Sequence, residues 1–242
     1  MPYIKRTVKA GPVIEIRKSF SSRYGSRGEV KRQKINLSPE AVQRINEKNA
    51  EEKLRWLLLE NFRKGDWHLV ITYRKTERPN PDEAKKILAA FLRDLRKEFR
   101  KNQGEDLRYI AVTEWKSAAI HHHIVIPTCD IRIVQKLWRR GKVRGTDISD
   151  EEHLISLASY LIKETSQTFR EGVGYRKRWN ASRNLKRPKI KTEIISQRTW
   201  VERPKPVKGY RLDKRVGSDG VEIYENAVTG SMCQFYRMIR IE

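Results

Sequence analysis

A chain of 242 residues with 38% hydrophobic content can bury one full domain and appendages. Its 53 Lys and Arg against 30 Asp and Glu give a net charge of +23, which favours a nucleic-acid partner. No run approaches the ~18 apolar residues of a spanning helix, residues 1–13 lack a signal-peptide core, and Cys129 and Cys233 sit far apart without CxxC spacing, so a membrane protein, a zinc knuckle and a disulfide framework are all disfavoured. The expected location is cytoplasmic.

Val13 to Arg17 reads as a short edge strand. Lys18 to Lys34 is basic and rich in Ser and Gly, either a loop that orders on a polyanion or a solvated linker. Ser38-Pro39-Glu40 supplies an N-cap, a proline at the first helical position and an acidic first turn. The helix it opens is expected to reach about Phe62, with its apolar second half docked on a core. Trp67 to Tyr73 is the strongest strand signal, rich in β-branched and aromatic residues. His68 alternates there with Val70 and Thr72, and reads first as a packed or edge histidine, with an approach to the pair His121 and His123 as the alternative.

Asn80-Pro81-Asp82-Glu83 opens a second helix, ending near Lys101 before Gly104. Its stripe of Ile87, Leu88, Phe91, Leu92, Leu95 and Phe99 must cover one face of a sheet. The rest of its surface is Lys and Arg.

Arg108 to Ile126 is the centre of the chain. Two runs with strand alternation flank a polar turn, Lys116-Ser117-Ala118-Ala119. A four-residue hairpin loop pairs Trp115 with Ile120, hence Glu114 with His121 and Val112 with His123. Opposed residues on one face have Cβ atoms about 4.5–5.5 Å apart. A carboxylate and two imidazoles then converge on one patch, a ligand set that suits a divalent metal with positions left for a substrate oxygen. A histidine pair in a strand also serves structure alone; the facing carboxylate is what favours the metal.

Ile131 to Arg139 reads as a short helix. Arg139, Arg140, Lys142 and Arg144 follow in a basic turn around Gly141, either solvated or in contact with DNA phosphates. Ser149 with Glu152 reads as a capping box for a helix to about Thr165. Leu154, Leu157, Ala158 and Leu161 form its buried stripe, with Ser156, Tyr160 and Lys163 on the flank. From Phe169 to Lys191 the chain is densely basic. Arg176, Lys177, Arg178, Arg183, Lys186 and Arg187 are interleaved with Tyr175 and Trp179, a mixture that suits single-stranded nucleic acid. Ile190 to Ser196 is a further candidate strand. Beyond Pro204-Lys205-Pro206, Val221 to Tyr224 and Met232 to Ile239 read as a small hairpin.

The His121-His122-His123 strand paired with an acidic strand, followed by Tyr160-Leu161-Ile162-Lys163 on a helix, resembles the HUH endonucleases. Within them it looks like the rolling-circle replication initiators of phages, plasmids and mobile elements. The resemblance spans roughly Asp66 to Lys191 and includes WHLVITY and the basic stretch Ser182 to Pro188. Two departures stand out. The middle of the motif is His122 rather than an aliphatic residue, and the position one turn after Tyr160 is Glu164 rather than a second tyrosine. The resemblance implies a single-tyrosine enzyme whose termination step needs a second subunit or another nucleophile. Tyr160 would be the nucleophile, Lys163 would favour its phenolate, and Glu114, His121 and His123 would hold Mg2+ or Mn2+.

The expected fold is α+β. It is a mostly antiparallel sheet with helices on one face and the metal patch on the other, a basic N-terminal arm and long helix over 1–65, a nuclease domain over 66–200, and a C-terminal β appendage over 201–242. The expected activity is site-specific nicking and joining of single-stranded DNA at a replication origin, with host replication machinery as a further partner. A relaxase or tyrosine transposase with the same chemistry is the nearest alternative. A non-catalytic nucleic-acid-binding protein is the alternative from another class.

Overall fold

The computed structural model describes residues 3–21, 38–115, 119–170, 177–195, 201–226 and 230–241. The chain divides into two compact units, one of residues 1–45 with 187–242 and one of residues 46–186.

The first unit is a six-stranded antiparallel sheet in the order β10-β11-β2-β1-β8, with β9 also paired to β11. Strands β1 (Tyr3–Ala10) and β2 (Val13–Phe20) form a hairpin. Gly11 takes a φ of 53° at its turn, the conformation a two-residue hairpin loop asks of glycine. The expected helical arm is therefore replaced, over residues 3–20, by strands. The segment from Val13 is not an edge strand either, because β2 lies between β1 and β11. Residues 22–34 of the basic loop lie outside the described residues.

Strand β8 (Lys189–Ile195) pairs with β1. Strands β9 (Tyr210–Leu212), β10 (Val221–Glu225) and β11 (Met232–Arg240) complete the sheet. The expected C-terminal hairpin is present as β10 and β11, and its long strand also pairs with β2 over Val13–Lys18. Ile14, Ile16, Val221, Tyr236 and Met238 pack together on one side. Alternation of the partners puts Glu15 and Arg237 on the other side.

The second unit holds a five-stranded antiparallel sheet in the order β6-β3-β5-β4-β7. Its strands are β3 (Trp67–Thr72), β4 (Ile110–Glu114), β5 (His121–Ile126), β6 (Val143–Asp147) and β7 (Asn180–Ala181). Helix α1 (Pro39–Asn61) opens with Ser38 Oγ accepting from Ala41 N. Its later half is buried through Leu54, Trp56, Leu58 and Leu59.

Helix α2 (Pro81–Gln103) starts at a full capping box between Asn80 and Glu83 and ends on Gly104 at a φ of 72°. Its apolar stripe and Val134 of α3 (Ile131–Leu137) pack with Leu69, Ile71, Ala111, Ile124 and Ile126. These strand residues share one face.

Helix α4 (Glu151–Arg170) contacts β4, and its Tyr160 ring meets His123. The helices are therefore not confined to one face, and the histidine face is partly covered by α4. The cap of α4 is also one residue later than expected. Asp150 Oδ1 accepts from His153 N at 2.7 Å, and the His153 ring accepts from Ser149 N at 3.3 Å. The helix runs past Thr165 to Arg170.

Candidate active site

The hairpin register is the one the alternation requires: Glu114 opposes His121 and Val112 opposes His123. On the other side of β5, strand β3 sets Val70 against His123 and Thr72 against His121. Because alternate residues share a face, His68, Val70 and Thr72 join the histidine side.

His122 points the other way and is fully buried. It is hydrogen-bonded to Thr113 Oγ1 at 2.9 Å and Tyr73 OH at 2.8 Å, and its ring sits edge-on to Trp138. The middle residue of the motif is thus a satisfied core histidine, kept neutral by burial, which pushes it down to about 3.

Three imidazoles form a chain. His68 Nε2 lies 3.1 Å from His123 Nδ1, and His123 Nε2 lies 3.0 Å from His121 Nε2. His121 Nδ1 lies 2.8 Å from the Ala119 carbonyl. That oxygen only accepts, so Nδ1 of His121 carries the proton and the lone pair of the neutral ring is on Nε2. The Nε2 contact then closes in one of two ways. Either His123 Nε2–H donates to His121 while His68 donates to His123, or a cation sits against both lone pairs and His123 Nδ1–H donates to His68. Metal-bound histidines show the second pattern, the far nitrogen donating to a fixed partner.

Two ligands at right angles on an ion with bonds of about 2.1 Å stand about 3.0 Å apart, which the Nε2 pair matches. Burial first, then the neighbouring histidines, pushes His123 down to about 3, and burial with His153 pushes His68 down to about 4. Both rings are neutral at neutral pH, the state a ligand needs.

Glu114 is fully buried. Its Oε2 lies 3.6 Å from Nδ1 of His121, beside the other nitrogen of that ring. Among the described residues no three His, Cys, Asp or Glu side chains converge closely enough to hold a metal. The two nitrogens fit a divalent cation in kind and spacing, while the Glu114 carboxylate lies on the Nδ1 side of the His121 ring rather than at the Nε2 pair.

Tyr160 is 45% exposed, with its ring edge-on to His123 at 5.5 Å between centroids. Burial, then the carboxylates of Glu164 and Glu114, holds its phenol above the usual range. Lys163 is exposed one turn on, and the charges acting on the phenol are the carboxylates.

Of the basic residues singled out above, Arg139 and Arg140 are exposed in the turn after α3, and Lys142 and Arg144 are exposed along edge strand β6. Arg144 opposes Val70, and Thr72 N donates to Lys142 O at 3.0 Å. Alternation therefore aims both of these cations to the histidine side. Gly141 serves close packing of the turn: a Cβ there would clash with the Thr72 and Tyr73 backbone, so the glycine admits the end of β3.

Lys177, Arg183 and Lys186 are exposed and Arg178 is half-buried. Arg176 lies outside the described residues, and Arg187 belongs to the first unit. Asn61, which sequence reading passed over, clamps Lys186 by donating to its carbonyl and accepting from its N–H, both at 2.8 Å. His68 was visible as an alternating residue. Its partner strand was not, because β3 and β5 are separated by α2 and β4 in the chain.

Among the described residues no helix is long and apolar enough to cross a membrane. No curated protein and no solved structure matches the chain. Residues 66–169, which hold β3, the central hairpin and the body of α4 with Glu114, His121, His123 and Tyr160, match the family model for Replication-associated protein ORF2/G2P.

Proposed function

We propose that the protein is a metal-dependent nickase and strand-transferase of single-stranded DNA, of the HUH type, that initiates rolling-circle replication of a mobile element. The observation that carries this reading is the pair of inward Nε2 atoms, 3.0 Å apart on a strand opposed to Glu114, with Tyr160 against His123. The match of residues 66–169 to a replication-associated family favours initiation over conjugation or transposition.

Glu114, His121 and His123 would hold Mg2+ or Mn2+, which would supply Lewis-acid polarisation of the scissile phosphate and offset the negative charge around Tyr160. His68 fixes the His123 ring from behind, and Ala119 fixes His121. Lys142 and Arg144, on the same side of the sheet, hold the flanking backbone. Tyr160 Oη gives up its proton and attacks phosphorus, the bond from phosphorus to the 3′ oxygen breaks, and that oxygen takes up a proton, so that no net proton is gained or lost. The products are a 5′-phosphotyrosine ester and a free 3′-OH. The ester keeps the bond energy, so the same residues can rejoin strands. Lys163, one turn from Tyr160, balances charge on the phosphorane.

The test uses end-labelled single strands from the element's intergenic region, with Mn2+ or EDTA. A covalent adduct carrying the 3′ segment, dependent on the metal and lost in Tyr160→Phe, is the expected result. Cleavage that survives Tyr160→Phe would refute the mechanism.

A further inference from the structure

Arg96, Lys97, Arg100 and Lys101 line one side of the last turns of α2. They face Ala181–Asn184 across an open groove of about 820 Å³. Arg183 adds a fifth cation, and the acidic lining residue, Asp106, is already paired with Arg100.

The wall is built rather than incidental. Ser182 N donates to Tyr109 O and Tyr109 N donates to Ser182 Oγ, each at 3.0 Å. Asn184 Nδ2 donates to Asp106 O at 3.1 Å. The floor carries the half-buried Tyr109 ring, with the Arg96 guanidinium 5.9 Å from its centroid.

Arg96 with Arg100 and Lys97 with Lys101 are like charges four residues apart, an arrangement that destabilises a helix by itself. One small anion would occupy one or two of these cations. Four cations along α2, of which Arg100 is shared with Asp106, and Arg183 on the facing wall, beside an aromatic ring, fit a phosphodiester chain with a base free to stack.

We propose that this groove is a second site for single-stranded DNA, gripping the strand outside the nick. Tyr109 immediately precedes β4 and Glu114 ends it, so five residues put the groove about 17 Å along the strand from the active site. Alternation places Tyr109 on the α2 side and Glu114 on the histidine side. A strand leaving the active site reaches the groove around β7, a two-residue edge strand. The choice of DNA as the occupant rests on the proposed function.

The experiment is fluorescence anisotropy in EDTA, in a Tyr160→Phe background, with a labelled single strand of about 30 nucleotides, long enough to exceed a typical site size. Lys97→Glu/Lys101→Glu, both exposed, is compared with Lys205→Glu/Lys208→Glu, which changes net charge equally at exposed positions elsewhere. The groove variant is expected to bind about tenfold or more weakly and to lose about 1.4 from its salt slope, two single-strand phosphate contacts. The control is expected to lose little.

Equal losses in both variants, or groove-variant binding within about twofold of the parent, would overturn the proposal, as would a larger loss on duplex than on single strand. Nicking of a short oligonucleotide confined to the cleavage site, measured with Tyr160 intact, is expected to be unchanged. Groove-dependent binding without any nicking would sink the proposed function and leave the groove standing. Intact nicking with undiminished binding would sink the groove alone.

Discussion

His123 sits between two imidazoles, and what stands behind each ring nitrogen decides its use. The Ala119 carbonyl forces His121 to present a lone pair at Nε2, and His68 lets His123 do the same. On the proposed function, His68 would act as a positioning residue. His68→Ala is expected to weaken Mn2+ binding, measured by titration calorimetry, by about 10- to 100-fold, the usual cost of losing an outer partner of a metal histidine. Unchanged affinity would show that His68 only packs. Period-two alternation alone puts Glu114, His121 and His123 on one face of the hairpin, the register the strands adopt. The role of His68 was hidden, because it needs the pairing of β3 with β5, a contact between residues 55 apart in the chain. Glu164 is as local to Tyr160 as Lys163, but the second carboxylate acting on the phenol, Glu114, comes from β4 and needs the folded chain to be seen.

At the scale of elements, the helices and strands of the second unit announce themselves through caps and periodicity. The N-terminal hairpin does so only in part: Val13 to Arg17 reads as a strand, but its partner β1 does not, with Lys5, Arg6 and Lys9 among its apolar residues, and the pairing of β2 with β11 brings in the far end of the chain. Glu15 is buried because Arg237 Nε donates to it at 2.8 Å, while Arg237 Nη1 donates to Asp213 at 3.1 Å. Removing Arg237 would take a charge-assisted partner from both buried carboxylates, with Arg215 still holding Asp213. Arg237→Met is expected to cost about 3–5 kcal/mol, read from denaturant melts. Burial alone would raise Asp213, but the hydrogen bonds and charge of Arg215 and Arg237 outweigh it and hold it below 3.8. Its contribution is complete above that unfolded value and is lost as the pH falls through the lower folded one. Acid titration of the wild type should therefore show stability falling below about pH 4, a loss that is smaller in Asp213→Asn. Gly141→Ala should also destabilise, by about 1–3 kcal/mol or more, because the new Cβ would meet the Thr72 backbone. A neutral result there would mean that the β6 turn relaxes freely.

For the whole molecule, the charge of +23 is the most general signal. It gives the class of partner without giving a site. The folded second unit distributes some of those charges along β6 on the histidine side and others beside α2. Binding of single-stranded DNA should weaken steeply with salt, with a slope of about −0.7 in log K for each phosphate neutralised. An affinity flat from low to physiological salt would contradict an electrostatic footprint. The central claim is that Tyr160 becomes joined to DNA. It is tested most directly by digesting the metal-dependent adduct with trypsin and nuclease and locating the nucleotide by mass spectrometry. A nucleotide on the Tyr160 peptide is expected. A nucleotide on any other residue, or cleavage with no adduct at all, would contradict the account.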